Sequence, residues 1–332
     1  MMEERYLFQN GFLAEKNGED AVTLLRAYGT SPELVVPEQI GGYPVTEIGA
    51  YCFARSAHLT KEAEALIEEA RAKEPSLASG EICGENLSVL ELPDAIRKIG
   101  DCTFYNCKNL SELIVGKAVE ELGSDVFMNC VSLKKLKIRG SVLEKSGLKQ
   151  LLSRISFTVE VFFENGTKTE AAVLYPEFFE TYDEIAPAHL FGRNITGEGF
   201  RARQCFRDGK IAFAEYDAIF PKICVEESRD ITGQFALDRL LYPVELSRES
   251  RLLYEGYFNE QQEHIGKRLV RDARLEVLHF MCEKKYFSKE TLLVLLEEAV
   301  AADWTEGAAS LMAWKKEYYE TAKGARYTFD DF

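Results

Sequence analysis

Residues 86–107 read NLSVLELPDAIRKIGDCTFYNC, residues 109–130 read NLSELIVGKAVEELGSDVFMNC, and residues 132–144 read SLKKLKIRGSVLE. Laid over one another they agree column by column: Leu87, Leu110 and Leu133; Leu90, Leu113 and Leu136; Leu92, Val115 and Ile138; Ile96, Val119 and Val142. Ile99 and Leu122, Gly100 and Gly123, Phe104 and Phe127, and Asn106-Cys107 and Asn129-Cys130 continue the match. Each step is 23 residues (110 − 87 and 133 − 110). A fixed period of this length marks a stacked-repeat architecture, because one coil cannot bury so many apolar columns alone. Leu90 and Leu92 flank Glu91, the alternation of a strand with one buried face. Ile96 and Ile99 point back inward after a turn, and Phe104 fills the coil. Gly100 belongs where a side chain would clash or where φ must be positive.

An imperfect earlier copy, LVVPEQIGGYPVTEIGAYCF, occupies 34–53 and places Leu34, Val36, Val45, Ile48, Gly49 and Phe53 in the columns. Between the copies, residues 60–86 break the period. Thr60 can cap a helix there, Glu62 and Glu64 suit its positive end, and Ala63, Leu66, Ile67 and Ala70 form one stripe. The segment is expected to protrude from one side of the stack. The pattern LxxLxLPxxIxxIGxxxFxxC at 87–107, preceded by PEQIGGYPVTEIGAYCF, resembles the BspA-like leucine-rich repeat. The resemblance covers residues of about 28–143. It implies a solenoid with a parallel sheet on its concave side, and a role in adhesion or protein recognition without catalytic residues.

Past the repeat, SGLKQLLSRI has helical spacing, and TVEVFFENGTKTEAAVLYP alternates on both sides of Asn165-Gly166, a hairpin with a type I′ turn that could close the stack. A short helix is expected near 176–185, strands around Asp208-Gly209, and a helix near 213–220. Ser247, Asp272, Ser288 and Thr305 are read as caps of four helices, the third carrying Leu292, Leu293, Leu295, Leu296 and Val300 on more than one face. Their spacing weakly resembles ankyrin-type helical repeats. The fold class is therefore α+β, a short leucine-rich-repeat solenoid followed by an α-helical repeat-like domain. The division expected is 1–163 for the solenoid with its insertion, 164–232 for a mixed connection, 233–322 for the helices and 323–332 for a polar tail.

The 332 residues carry 55 Asp and Glu against 40 Lys and Arg, a net charge of −15. Such a field repels phosphate backbones and anionic lipid heads, so neither nucleic acid nor membrane is an expected partner. No basic leader precedes an apolar run at the N-terminus, and eight scattered cysteines lack a framework spacing, so the cytoplasm is expected, with the cell surface as the alternative from the resemblance. Eight free thiols and no bound metal or cofactor are expected. The four histidines, at 58, 189, 264 and 279, stand apart from one another. Gly197-Glu198-Gly199-Phe200-Arg201-Ala202 matches a dinucleotide fingerprint in letters only, since Phe200 and Arg201 suit a strand. Tyr175, Phe178, Phe179 and Tyr182 are at helical spacing and read as packing rather than a ligand box.

No catalytic residue is assigned. The residues between inward-facing positions must line the open side of the sheet, and they form ladders: Glu91, Ile114 and Lys137, and Val89, Glu112 and Lys135, with Arg139 beyond. These seven are the candidate site, an acidic-to-basic patch with apolar anchors suited to a protein or peptide. The alternative is an enzyme of unfamiliar type with its site in 176–225, the solenoid recruiting the substrate.

Overall fold

The structure is a computed structural model that describes residues 5–55, 59–73, 75, 80–185 and 190–324. It divides into two compact units, Met1–Lys222 and Ile223–Phe332. Strands dominate the first and helices make up the second, so the chain is α+β.

The first unit opens on a meander that the repeat pattern does not announce: β1 (Tyr6–Gln9), β2 (Phe12–Asn17) and β3 (Ala21–Ala27), each antiparallel to the next. Asn10 and Gly11 have φ of 52° and 83°, the two left-handed residues of a type I′ turn. There follow β4 (Glu33–Val35), β5 (Gln39–Ile40), β6 (Tyr43–Ile48) and α1 (Lys61–Lys73). Next come β7 (Val89–Glu91), β8 (Lys98–Ile99), β9 (Glu112–Gly116), β10 (Glu121–Leu122), β11 (Lys135–Arg139), α2 (Leu148–Leu152), β12 (Val159–Asn165) and β13 (Lys168–Tyr175).

The repeats at 86–107 and 109–130 each feed two sheets. One runs β1-β2-β3-β6-β8-β10 with β5 beside β6, and the other runs β13-β12-β11-β9-β7-β4. Leu90, Leu113 and Leu136 are direct neighbours on parallel strands, so the 23-residue step is one strand step in the sheet. Leu87, Leu90, Leu92, Ile96, Ile99, Leu110, Leu113, Val115 and Leu136 are completely buried between the sheets. Phe53, Phe104 and Phe127 stack in a column, with centroids 5.6 and 5.4 Å apart and planes 14° and 17° off parallel. Leu122 departs from expectation and is only half-buried: β10 ends its sheet, so no further strand covers it. Val126, not among the matched columns, is fully buried instead.

Gly100 resolves in favour of steric approach. Its φ is not positive, and a Cβ there would stand 2.5 Å from the backbone nitrogen of Ala50. Left-handed backbone falls elsewhere in the coil, at Cys102 and Asp125 and at Asn106 and Asn129, both pairs one period apart. The Asn129 side-chain amide donates to the Asn106 side-chain carbonyl at 2.7 Å, so asparagine satisfies the turn and links adjacent coils together.

The inserted helix α1 does not protrude freely. Ala63 and Ile67 pack with Tyr6, Leu13 and Tyr28 in one apolar cluster, which seats the helix on the meander. Thr60 caps it as expected, its hydroxyl accepting from the Ala63 amide at 3.3 Å. Arg26 on β3 is 2% exposed and donates to the carbonyls of Cys52 and Ala54 and to Glu81 at 3.0 Å, tying the meander to the first coil and to the end of the insertion.

Beyond the repeats, β12 continues the parallel sheet beside β11, and β13 returns antiparallel. The turn centres on Gly166-Thr167 rather than Asn165-Gly166, because Asn165 pairs with Lys168. Only Gly166 of the two is left-handed, with φ 66°, the pattern of a type II′ turn. Residues 179–185 form β14 (Phe179–Ile185), paired with β15 (Leu190–Thr196), where a helix was expected. The run at helical spacing misleads because its members have different surroundings: Tyr175 is fully buried, whereas Phe179 and Tyr182 are mostly exposed. The glycine-rich hexapeptide opens a single helical turn, α3 (Gly199–Ala202), rather than a strand. The hairpin β16 (Phe206–Arg207) and β17 (Lys210–Ile211) and then α4 (Phe213–Ala218) follow as placed, and a further helix that was not expected, α5 (Phe220–Glu226), comes after them.

The second unit contains α6 (Arg229–Leu241), α7 (Arg248–Arg271), α8 (Leu275–Glu283), α9 (Lys289–Ala301) and α10 (Thr305–Gly324). Ser247 and Ser288 are N-caps, as is Ser228, each accepting from a backbone amide three residues on. Asp272 is the C-cap of α7 instead of the opening residue of α8, and Thr305 is already helical. Three of these helices stop without glycine. Ala273, Lys285 and Asp303 take φ of 50°, 61° and 54°. The next amides, of Arg274, Tyr286 and Trp304, donate back to Leu269, Met281 and Ala299, the bond of a Schellman stop. α9 packs against both α7 and α10 through Leu292, Leu295 and Ala299, while Val300 faces solvent. Residues 325–332 of the expected tail lie outside the described residues.

Candidate functional site

The strand registers bring the seven candidate residues onto one side of the six-stranded sheet. Val89, Glu112 and Lys135 are direct neighbours on β7, β9 and β11, as are Glu91, Ile114 and Lys137. The structure lengthens both rows. β4 adds Glu33 and Val35, and β12 adds Glu160 and Phe162, giving Glu33–Val89–Glu112–Lys135–Glu160 and Val35–Glu91–Ile114–Lys137–Phe162. Strands about 4.8 Å apart make each row roughly 19 Å long. Val35 is 64% exposed at one end, and Ile114 and Phe162 are half-buried along the row.

Charge is not graded along this face, because the cations are paired across it. Lys137 lies 2.9 Å from Glu112 and 3.4 Å from Glu164. Burial disfavours its charge, but the hydrogen bond and attraction from Glu112, with help from Glu164, prevail and raise its pKa. Arg139 reaches over β9 to Glu91 and Asp94, each at 2.6 Å, and also donates to the Leu92 carbonyl. Its neighbour on β9 is Gly116, which presents no side chain in its way. Lys135 is the exposed cation, and among the described residues it forms no ion pair. The sequence locates every member of the two rows except Glu33, Val35, Glu160 and Phe162. Pairing within the face depends on side-chain reach across strands and has no signature in the period.

Residues 79–169 match the BspA type leucine rich repeat region. The match counts six copies and includes β7 through β12. A solved leucine-rich repeat protein from Bacteroides capillosus is 18% identical over 49% of this chain and 100% of that chain, with a TM-score of 0.30. A leucine rich cell surface protein from Faecalibacterium prausnitzii is 17% identical over 40% of this chain and 36% of that one, with a TM-score of 0.26. The T. pallidum leucine rich repeat protein is 20% identical over 42% of this chain and 74% of that one, at a TM-score of 0.23. No curated protein matches the chain.

Within the BspA-type repeats, cysteine serves packing. The Cys107 and Cys130 thiols donate to the Phe53 and Phe104 carbonyls at 3.3 and 3.1 Å, one sulfur per coil beneath the ring column. All eight cysteines are unbridged, and among the described residues no group of three or more His, Cys, Asp or Glu is placed to hold a metal. Burial pushes the Cys107 and Cys282 thiols up to about 12 and Cys205 to about 11, and raises Cys52 and Cys130 as well. These groups stay protonated in the fold while an unfolded thiol ionises near pH 9. Their contribution is therefore complete below about pH 9 and is lost as pH rises toward 12. Thermal melts should show stability falling steeply above pH 9, with Cys107 alone accounting for about 2 kcal/mol by pH 10.5. A Cys107→Ala variant whose alkaline slope equals that of the parent would exclude this cause.

The region 176–225 holds a buried polar hub in which backbone carbonyls anchor the side chains. Arg203 is 5% exposed and donates to the carbonyls of Ile155, Phe157, Pro176 and Gly199, with its guanidinium over the Tyr175 and Phe178 rings. Burial lowers its pKa to about 10. The Tyr216 hydroxyl donates to the Leu174 carbonyl at 2.6 Å. Of the histidines, His264 contacts Asp230 and His279 contacts Ser310, while His58 and His189 lie outside the described residues. No helix among the described residues is long and apolar enough to cross a membrane.

Proposed function

We propose that this protein is a recognition scaffold, non-enzymatic, whose repeats form a short solenoid and whose open sheet face holds an extended segment of a protein or peptide partner. The observation that carries this is the row Val35–Ile114–Phe162, an apolar track interleaved with charges already held in place by one another. Ordered side chains on a rigid sheet lose little entropy on binding, and apolar positions every second strand suit an extended chain. Val89, Glu91, Glu112, Ile114, Lys135, Lys137 and Arg139 remain the contact residues, joined by Val35 and Phe162. The net charge of −15 argues for protein over nucleic acid or anionic membrane. Eight unbridged cysteines, six of them buried, fit a reducing compartment and favour the cytoplasm. The helices of the second unit are read as a short helical-repeat array.

Reversing Lys137 is unsuitable as a test, because a glutamate there would face both Glu112 and Glu164 and disturb the sheet itself. Lys135 and Val35 are exposed and carry no such burden. Peptides selected on the full chain from a random display library should bind about tenfold more weakly to a Lys135→Glu, Val35→Ser double variant, with the melting temperature unchanged. Selected peptides indifferent to both substitutions would place recognition elsewhere.

A further inference from the structure

The second unit contains a cleft between α6 and α7 whose charge is opposite to that of the chain. One side of α6 lines it with Arg229, Asp230, Gly233, Gln234 and Leu237, and α7 lines it with His264, Ile265, Arg268, Leu269 and Asp272. Arg274, just past the C-cap of α7, lines it as well. The cleft is open to solvent at its mouth.

Its carboxylates each have a partner. Asp230 meets His264 at 2.8 Å, and Asp272 meets Arg268 at 3.6 Å. Arg229 and Arg274 have no carboxylate within ion-pair distance among the described residues. Two guanidiniums converge on one neutral atom: the Gln234 side-chain oxygen accepts from Arg268 at 3.0 Å and from Arg274 at 3.5 Å. Gln234 is oriented from behind, its amide donating to buried Asp238 at 2.6 Å, so its oxygen is held toward the two arginines. Backbone dipoles do not decide the sign. Residue pairs Phe235 with Tyr254 and Asp230 with His264 show α6 and α7 to be antiparallel, so the positive end of one lies beside the negative end of the other. The excess is in the side chains: three arginines line the cleft against two aspartates. Guanidiniums that share a neutral acceptor repel one another, and a planar fork with unused N–H groups is suited to oxyanions.

We propose that this cleft binds a phosphoryl group, with Arg229 and Arg274 donating to its oxygens and Arg268 adding charge from the side. The three oxygens of a phosphoryl group can accept from Arg229 and Arg274 at once, whereas a carboxylate matches a single guanidinium fork. The source of the group is either free phosphate or a phosphorylated side chain of a protein.

The test uses the full chain at constant ionic strength, set with sodium chloride, with binding followed by calorimetry and by thermal shift. The probes are inorganic phosphate, a short phosphoserine peptide and its unphosphorylated form. Saturable binding of phosphate, or of the phosphopeptide in preference to its unphosphorylated form, is expected, and the tighter of the two identifies the source. Arg274→Gln and, separately, the exposed Arg229→Gln should each weaken binding about tenfold. Arg271→Gln, outside the cleft, removes the same charge and should leave binding unchanged. Among the described residues Arg229 makes no side-chain hydrogen bond that its loss could break, so its variant reports on the site even if Arg274→Gln unfolds the unit. Absence of saturable binding by either phosphorylated probe would overturn the proposal. So would equal weakening in Arg271→Gln and Arg229→Gln, the signature of general charge.

Discussion

Replacing Phe104 with alanine should destabilise the repeat unit by about 3–5 kcal/mol, the usual cost of emptying a buried aromatic site. Phe104 is the middle ring of its column, fully buried, with Phe53 and Phe127 stacked on its two faces. Removing it leaves both neighbours without a partner and opens a void that the hydrogen bonds on either side keep from closing. The Phe104 amide donates to the Val126 carbonyl at 3.0 Å, and its own carbonyl accepts from Cys130. In a unit of this size the loss corresponds to a fall in melting temperature of roughly 6–20 °C. Phe104→Leu, which keeps part of the volume, should lose less than half as much. Calorimetric unfolding measures both, and a loss below about 1 kcal/mol for alanine would mean that the column is not what holds adjacent coils together.

Gly100→Val should be at least as damaging, for the opposite reason. A Cβ at position 100 stands 2.5 Å from the Ala50 nitrogen and 2.9 Å from both the Ala50 Cα and the Gly49 carbonyl carbon. All three are backbone atoms, so no side chain can rotate away. Relief requires β6 and β8 to separate, which breaks the Gly100 amide bond to the Ile48 carbonyl at 2.8 Å and the parallel pairs Glu47–Lys98 and Ile48–Ile99. Overpacking of this kind costs about 3 kcal/mol or more once backbone must move. Gly18→Ala is the natural contrast. Its φ is 71° and nothing lies within 4 Å of the added carbon, so only the cost of left-handed backbone applies, about 1 kcal/mol. Circular dichroism melts of the two variants should therefore differ widely. Equal melting temperatures would refute the close approach of the coils.

The sequence alone determined the repeat, its 23-residue step, the buried columns and the side of the sheet on which Val89, Glu91, Glu112, Ile114, Lys135, Lys137 and Arg139 stand. It could do so because each column residue meets its own copy one coil later, which turns a contact between distant residues into a periodicity along the chain. The opening hairpin, which turns at Asn10-Gly11, lies outside the repeat and was not among the expected elements. Contacts between unlike parts of the chain were decided only by the tertiary structure. Nothing in the period seats α1 on the meander through Ala63 and Ile67, or leaves Leu122 half-covered because its sheet ends there. β14 emerged as a strand because its backbone groups pair with β15, a partner that the spacing of Phe178, Phe179 and Tyr182 does not reveal. Arg139 meets Glu91 only because two strand steps and a side-chain-free Gly116 bring its guanidinium within reach, and Arg268 and Arg274 meet at Gln234 only because α7 folds back along α6. Burial repeats with the coil and is written into the sequence; side-chain reach across strands and between helices is set by the assembled backbone.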